Sequence, residues 1–440
     1  MQAGSRNDFL PVIFCRFEGM RTVIAITLLS TLLQFHRVNA QEANTAKELE
    51  KAKAAVKGSD GEAPDYNTAG LLLEKIVARE PGNAEAWYWL GYAIDKTNAP
   101  DGEHMPHVKL ALTVKASEAF EKSLLPGKDV YTGEIYIQDP HTKILAVWGT
   151  QAMYYLYNGQ KDSAVWCYQQ AAHKGGLNRT VMNYFRQVLD ECPHNSWLFF
   201  NGDMYLYYLN SLQLAEKYRP DVDCIDLNLL NTKWYPGWMA SKGLLQTSHS
   251  PVDLAAVERI KWTTTQTAIV RGHDTLISWA LQPTDDKKYL SRSARLLLDL
   301  LQQNAFRKEV YFAADVPQGM SLYLDSFFQF RGLTNRLVSK TKQTDMPFVM
   351  EQLRKLDDLP ETPRTYLNNH DNVQVLNNYR FAFASAALIA LRNGDKATAK
   401  QLLGAVERKY PEHVLPFFAT ATRDWFQQLK KKVAGETSLE

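Results

Sequence analysis

The stretch SWLFFNGDMYLYYLNSLQLAEKYRPDVDCIDLNLLNTKWY, residues 196–235, reads as strand, polar turn, helix, strand. Trp197 to Asn201 is short and apolar and is bounded by Asn-Gly, the pattern of a buried strand. Met204 to Tyr218 carries apolar residues at helical spacing, and Pro220 stops it. Val222 to Leu229 is apolar enough for a second strand. A strand that returns parallel after a helix needs a right-handed crossover. Farther on, Tyr289 to Gln303 reads as an amphipathic helix and Lys308 to Val316 as a third buried strand. Met320 to Phe330 reads as a helix, Arg336 to Ser339 as a short fourth strand, and HDTLISWAL within the 236–284 insertion as an added strand. The expectation is a small parallel Rossmann-like sheet set as an α/β insert in a mainly α protein.

Outward from this unit the sequence is helical. Ala69, Leu73, Ile76 and Pro81 have the spacing of the second helix of a tetratricopeptide repeat, and Trp87-x-x-Leu90-Gly91-x-x-Ile94 that of a first helix. After an insertion from Thr97 to about Val108, Ala116 and Phe120 continue the pattern, as do Ala164, Tyr168 and Ala171. Ala399, Leu403, Val406 and Pro411 repeat it near the end, behind a polar stretch from Arg364 to Val375 that reads as a loop. These residues resemble the tetratricopeptide repeat family. The resemblance implies a solenoid whose groove binds a protein, with Trp87, Trp148 and Tyr155 as candidate groove residues.

The expected division is 1–40 signal peptide, 41–65 lead-in with a short helix, 66–190 helical repeats, 191–345 α/β module, and 346–440 a C-terminal helical repeat with a capping helix. Arg21 precedes an apolar run from Val23 to Leu33, and Val38-Asn39-Ala40 supplies small residues for cleavage. The run centres on Met20, a candidate true start; an uncleaved anchor is the alternative. The segment implies an exported protein, periplasmic or secreted, with no membrane span after cleavage. The net charge of +2 in 440 residues argues against a nucleic-acid partner, and 11% aromatic content argues for a packed chain. Cys167, Cys192 and Cys224 follow the signal; Cys192 and Cys224 either pair or act as buried apolar fillers.

Ligands collect beyond the carboxyl ends of parallel strands. Those ends carry Asn201 and Asp203, Asn231 and Trp234, and Asp315, a set suited to a polyol or sugar. Asp203 also stands where an N-cap belongs, and capping is the expectation for it. His104-x-x-His107 lacks partners for a metal site. There is no phosphate loop, nucleophile elbow or zinc-protease motif, so neither cofactor nor metal is expected.

The 193–411 region also resembles the soluble C-terminal region of a bacterial membrane family regarded as protein O-mannosyltransferase-like. Asn201-Gly202-Asp203, Arg219-Pro220-Asp221-Val222, Leu229 to Tyr235, and Gly332, Leu333, Arg336, Leu337 and Val338 carry it. Tyr205 and Leu206 replace the Asp and Thr that usually complete the first motif. The family's polytopic half, the seat of glycosyl transfer, has no counterpart, so transfer is not expected. The expectation is a non-catalytic, exported interaction protein of the cell envelope, accessory to surface-protein glycosylation or secretion. The alternative is a carbohydrate-binding or carbohydrate-processing protein using the strand-end crevice.

Overall fold

A helix over 43–57 (α1) buries Ala52 and Val56 completely, so the expected lead-in is packed structure along this part. The computed structural model describes residues 43–58, 62–124, 130–339, 344–356, 358–359 and 369–436; the expected signal peptide lies outside them. Helices α2 (Tyr66–Arg79), α3 (Ala84–Asn98), α4 (Leu110–Ser123), α5 (Pro140–Tyr157) and α6 (Lys161–His173) follow, each packed on the next. Asp65 caps α2 by accepting Thr68 N–H, and Asn83 caps α3 by accepting Ala86 N–H, both at 3.0 Å. A side chain at Gly91 would meet the Phe120 ring at 2.9 Å, so this glycine is what lets α4 press on α3. Gly149 does the same on α5, where an added Cβ would sit 2.3 Å from the Tyr207 ring.

Helix α7 (Arg179–Asp190) leads into the sheet. Its strands are β1 (Trp197–Phe200), β2 (Asp223–Asp226), β7 (Val310–Ala313), β8 (Phe328–Phe330) and β9 (Thr334–Leu337), in the order β2-β1-β7-β9-β8. Between β2 and β7 lie β3 (Ile260–Lys261), β4 (Gln266–Arg271), β5 (Leu276–Leu281) and β6 (Tyr289–Leu290). β1 lies between β2 and β7 and is parallel to both, with Trp197 opposite Asp223 and Val310. All four residues of β1 and of β7 are buried, as strands covered on both faces must be. Helix α8 (Asp203–Ala215) makes the crossover from β1 to β2.

The sheet is mixed, which corrects the expected all-parallel one. No α-helix forms over 320–330; its helical part is a single 3₁₀ turn, Asp325–Phe327. Leu322 and Tyr323 adopt left-handed backbone (φ 58° each), and the chain returns through β8 as a hairpin, placing β9 antiparallel to β7. The cause is tertiary: the indole N–H of Trp279, on β5, donates to the Leu322 carbonyl at 2.7 Å and pins the turn. β5 pairs antiparallel with β4, making the expected added strand half of a hairpin. The β8–β9 turn is fixed from below. The Glu191 carboxylate accepts Leu333 N–H at 2.8 Å and the Thr334 hydroxyl at 2.7 Å, and Gly332 leaves room for it.

Helices α9 (Trp234–Ser241), α10 (Pro251–Ala256) and α11 (Arg292–Asn304) complete this part. Buried Arg292 holds α10, donating to the carbonyls of Leu254, Ala255 and Val257 as well as Leu230. The C-terminal helices are α12 (Met346–Lys355), α13 (His370–Arg392), α14 (Lys396–Lys409) and α15 (Thr420–Ala434). α13 begins at His370, where Asn369 accepts Asp371 N–H and Asn372 N–H, so the expected loop to Val375 is helix from there on. One continuous buried apolar cluster runs from Leu49 to Val433.

Candidate functional site

β1 and β7 end side by side where the connections leave in different directions, and a cavity of about 850 Å³ opens beyond their carboxyl ends. Asn201, Gly202 and Asp203 enter it from β1, Ala314 and Asp315 from β7, and Phe330, Gly332 and Asn335 from the β8–β9 hairpin. Ile137 and Gln138 come from the segment before α5. Helix α13 supplies one stripe, Asp371, Gln374, Asn378, Phe381 and Ser385, at the three- and four-residue spacing of a single helical face. Phe418 and Trp425 close it from the C-terminal end.

Asp203 is not the expected cap. Gly202, with φ 97°, occupies the N-cap position, and no side chain caps α8. The Asp203 side chain is half-buried and hydrogen-bonds to the Gln138 amide. Burial raises its carboxyl above the usual range, against the pull of the Lys143 and Lys96 ammonium groups. Lys143 is itself buried and bonded to Asp95 at 2.5 Å. The helical half of the protein thus sets the charge behind the β1 tip.

Asp315 is exposed to the cavity. Its Oδ1 accepts the Tyr205 hydroxyl at 2.9 Å and its Oδ2 accepts the Asn378 amide at 3.0 Å. The Tyr205 and Tyr184 hydroxyls lie 2.9 Å apart, and Asn378 also donates to Tyr184 at 3.1 Å. This closed ring fixes the Asp315 rotamer, while desolvation raises its carboxyl. Asp371 accepts Asp139 N–H at 3.0 Å, and burial pushes Asp139 up to about 6. By contrast Asn201, Asn335 and Gln374 have no side-chain hydrogen-bond partner within the protein among the described residues. Three fixed carboxylates, three amides open to the cavity and an aromatic wall of Phe381, Phe418 and Trp425 are groups of the kind that can hydrogen-bond and stack against a hydroxyl-rich ligand.

Of the residues expected in the crevice, the fold brings together Asn201, Asp203 and Asp315. Asn231 and Trp234 lie elsewhere. The chain after β2 turns through a short 3₁₀ segment, Leu229–Asn231; Asn231 accepts Ser293 N–H at 2.9 Å, and the Trp234 indole donates to the Gly102 carbonyl at 2.9 Å. Asp371, Gln374, Asn378, Asn335 and Trp425 were not anticipated from the sequence. Of the expected groove residues, Trp148 is not available to a groove. Trp148 is 2% exposed and donates to Ser117 in the core; Trp87 donates to the Pro81 carbonyl beneath Lys122, and Tyr155 stacks edge-on with Tyr154. His104 pairs with Asp101 at 2.6 Å, and no group of three His, Cys, Asp or Glu able to hold a metal occurs among the described residues. Cys167, Cys192 and Cys224 are free thiols.

The motifs that carry the family resemblance separate by role. Arg219 donates to the carbonyls of Leu189 and Cys192 and holds the Asp221 carboxyl down at about 2, a clamp on the end of α7. Tyr235 accepts Asp226 N–H at 3.2 Å, and Thr232 bonds back to Leu229. Glu191 and Gly332 lock the hairpin. Asn201-Gly202-Asp203 is the motif that places polar side chains in the cavity.

No helix among the described residues is long and apolar enough to cross a membrane. No solved structure matches the chain. Residues 181–271 match the family model described as TMEM260-associated domain 2. The chain is 22% identical over 164 residues to the protein O-mannosyl-transferase tmem260 of Dictyostelium discoideum, which covers 37% of this chain and 16% of that relative. The region from α7 to β4 is therefore similar to a domain associated with a protein O-mannosyltransferase, as the motifs of residues 196–235 indicate.

Proposed function

We propose that this protein binds a saccharide in the cavity at the ends of β1 and β7, as a binding module of protein O-glycosylation. The observation that carries the proposal is the convergence of Asp203 and Asp315 with three unpartnered amides in one open cavity. An Asp203 bonded to helix N–H groups, with no cavity beside it, would have favoured a purely structural tip; instead Gly202 holds the N-cap position and no side chain caps α8. The cavity volume lies in the range of small-molecule sites, with room for a short oligosaccharide. Carboxylates and amides pair with sugar hydroxyls, and Trp425 offers a face for a ring. The named relative acts in O-mannosylation, which makes a mannoside the first ligand to try.

In this proposal α2 to α6 and the α13–α14 pair are tetratricopeptide-like repeats, and β2, β1 and β7 a reduced Rossmann-like core. The helices serve chiefly as walls of the site. The leader-like segment ending at Val38-Asn39-Ala40 makes the protein an exported one of the cell envelope.

The test is calorimetric titration of the full chain with methyl α-mannoside and short α-mannosides, beside a broad glycan array. Saturable binding, weakened at least about tenfold by Asp203→Asn and by Trp425→Ala with melting unchanged, is expected. A cooperatively folded protein that binds no glycan on the array overturns the proposal.

A further inference from the structure

The cavity lining carries three carboxylates, Asp203, Asp315 and Asp371, and among the described residues no lysine, arginine or histidine. A phosphate is normally received by such cations or by a helix N-terminus. Helix α8 does begin at the cavity, but its first residue is Asp203, whose carboxylate repels an anion brought to that end. The ammonium groups closest in effect, Lys143 and Lys96, lie outside the lining. Lys143 is buried and bonded to Asp95 at 2.5 Å, and Lys96 donates to the Pro100 carbonyl at 3.2 Å. Their charge is matched by Asp95 and Asp203. Nothing comparable offsets Asp315, whose two partners, Tyr205 and Asn378, are neutral donors.

Resting on the saccharide proposal, we infer that the cavity receives a neutral glycan and rejects the same sugar as a phosphate ester or nucleotide diphosphate. The ligand is then the acceptor or the finished glycan of a transfer reaction, and the activated donor belongs to another site. Like charges a few ångströms apart in a partly enclosed cavity repel strongly enough to set this preference. The unpartnered amides of Asn201, Asn335 and Gln374 supply the donors and acceptors that uncharged hydroxyls need.

The experiment titrates the full chain with methyl α-mannoside and α-mannobiose, then with mannosyl phosphate and GDP-mannose under the same buffer. The neutral sugars bind, and the phosphorylated ones bind at least about tenfold more weakly. Asp315→Asn and Asp371→Asn, each titrated at a temperature where its own melting curve shows it fully folded, narrow that gap, as does added salt. A phosphorylated sugar that binds as tightly as the neutral one, or a gap that neither variant narrows, overturns the inference and leaves saccharide binding intact. Binding of neither class removes the saccharide proposal and this inference together.

Discussion

The Tyr205 hydroxyl donates to Asp315 Oδ1 at 2.9 Å and so joins the first turn of α8 to the loop that leaves β7. The two strand ends that form the cavity floor are thereby held by a side-chain bond beyond the sheet itself. A double-mutant cycle with Tyr205→Phe and Asp315→Asn is expected to give a coupling of about 1–2 kcal/mol in urea unfolding. Additivity within error would mean that the bond holds nothing.

Glu191 sets a pH dependence. Burial raises its carboxyl from an ordinary 4.5 to about 7, outweighing the donors from Leu333 and Thr334. The folded state therefore keeps a proton that the unfolded chain has already lost. This contribution is fully present below about pH 4.5 and is lost as pH rises through about 7, an effect of at most about 3 kcal/mol. Asp226, also raised to about 7, acts in the same direction. Glu191→Gln should flatten the stability profile between pH 5 and 8 relative to the parent, by roughly this amount. Equal slopes in the two proteins would refute it.

Gly149→Ala sets two effects against each other. Alanine favours a helix over glycine by about 1 kcal/mol. The added Cβ, however, would lie 2.3 Å from the ring of Tyr207, which is buried and bonded to Thr150. Overpacking of about 1–3 kcal/mol should win, and thermal melting should fall. A rise in melting temperature would show that α5 and α8 can part without cost.

Arg292→Met keeps the length of the side chain and removes its donors. The carbonyls of Leu230, Leu254, Ala255 and Val257 lose a shared partner, three of them at the end of α10. A loss of about 3 kcal/mol is expected, with faster amide exchange concentrated in α10. Uniform exchange across the chain would place the role of Arg292 elsewhere.

Trp197 to Phe200 was legible as a strand because four apolar residues before Asn-Gly have few other places to go. β7 was legible for the same reason. The 320–330 segment was not, because its turn depends on an indole forty residues earlier in sequence that claims the Leu322 carbonyl. At the site, strand-end logic reached Asn201, Asp203 and Asp315. It failed for Asn231 and Trp234, since a strand end predicts a crevice only if the chain does not turn away, and the 3₁₀ segment there does. The α13 stripe had a signal in plain view: Asp371, Gln374 and Asn378 are polar residues three and four positions apart, and Ser385 lies two turns farther on the same face. An asparagine-rich composition masked it by reading as a loop, although Asn369 is the cap that starts the helix.

The walls of the cavity come from positions 137–138, 201–205, 314–315, 330–335, 371–385 and 418–425. Contacts this far apart in sequence carry the entropic cost of closing long loops. A fragment limited to residues 181–271 would hold the β1 tip and none of the facing groups. Under the proposed function, ligand affinity would therefore read out whole-chain assembly, since Trp425 of α15 is part of the wall.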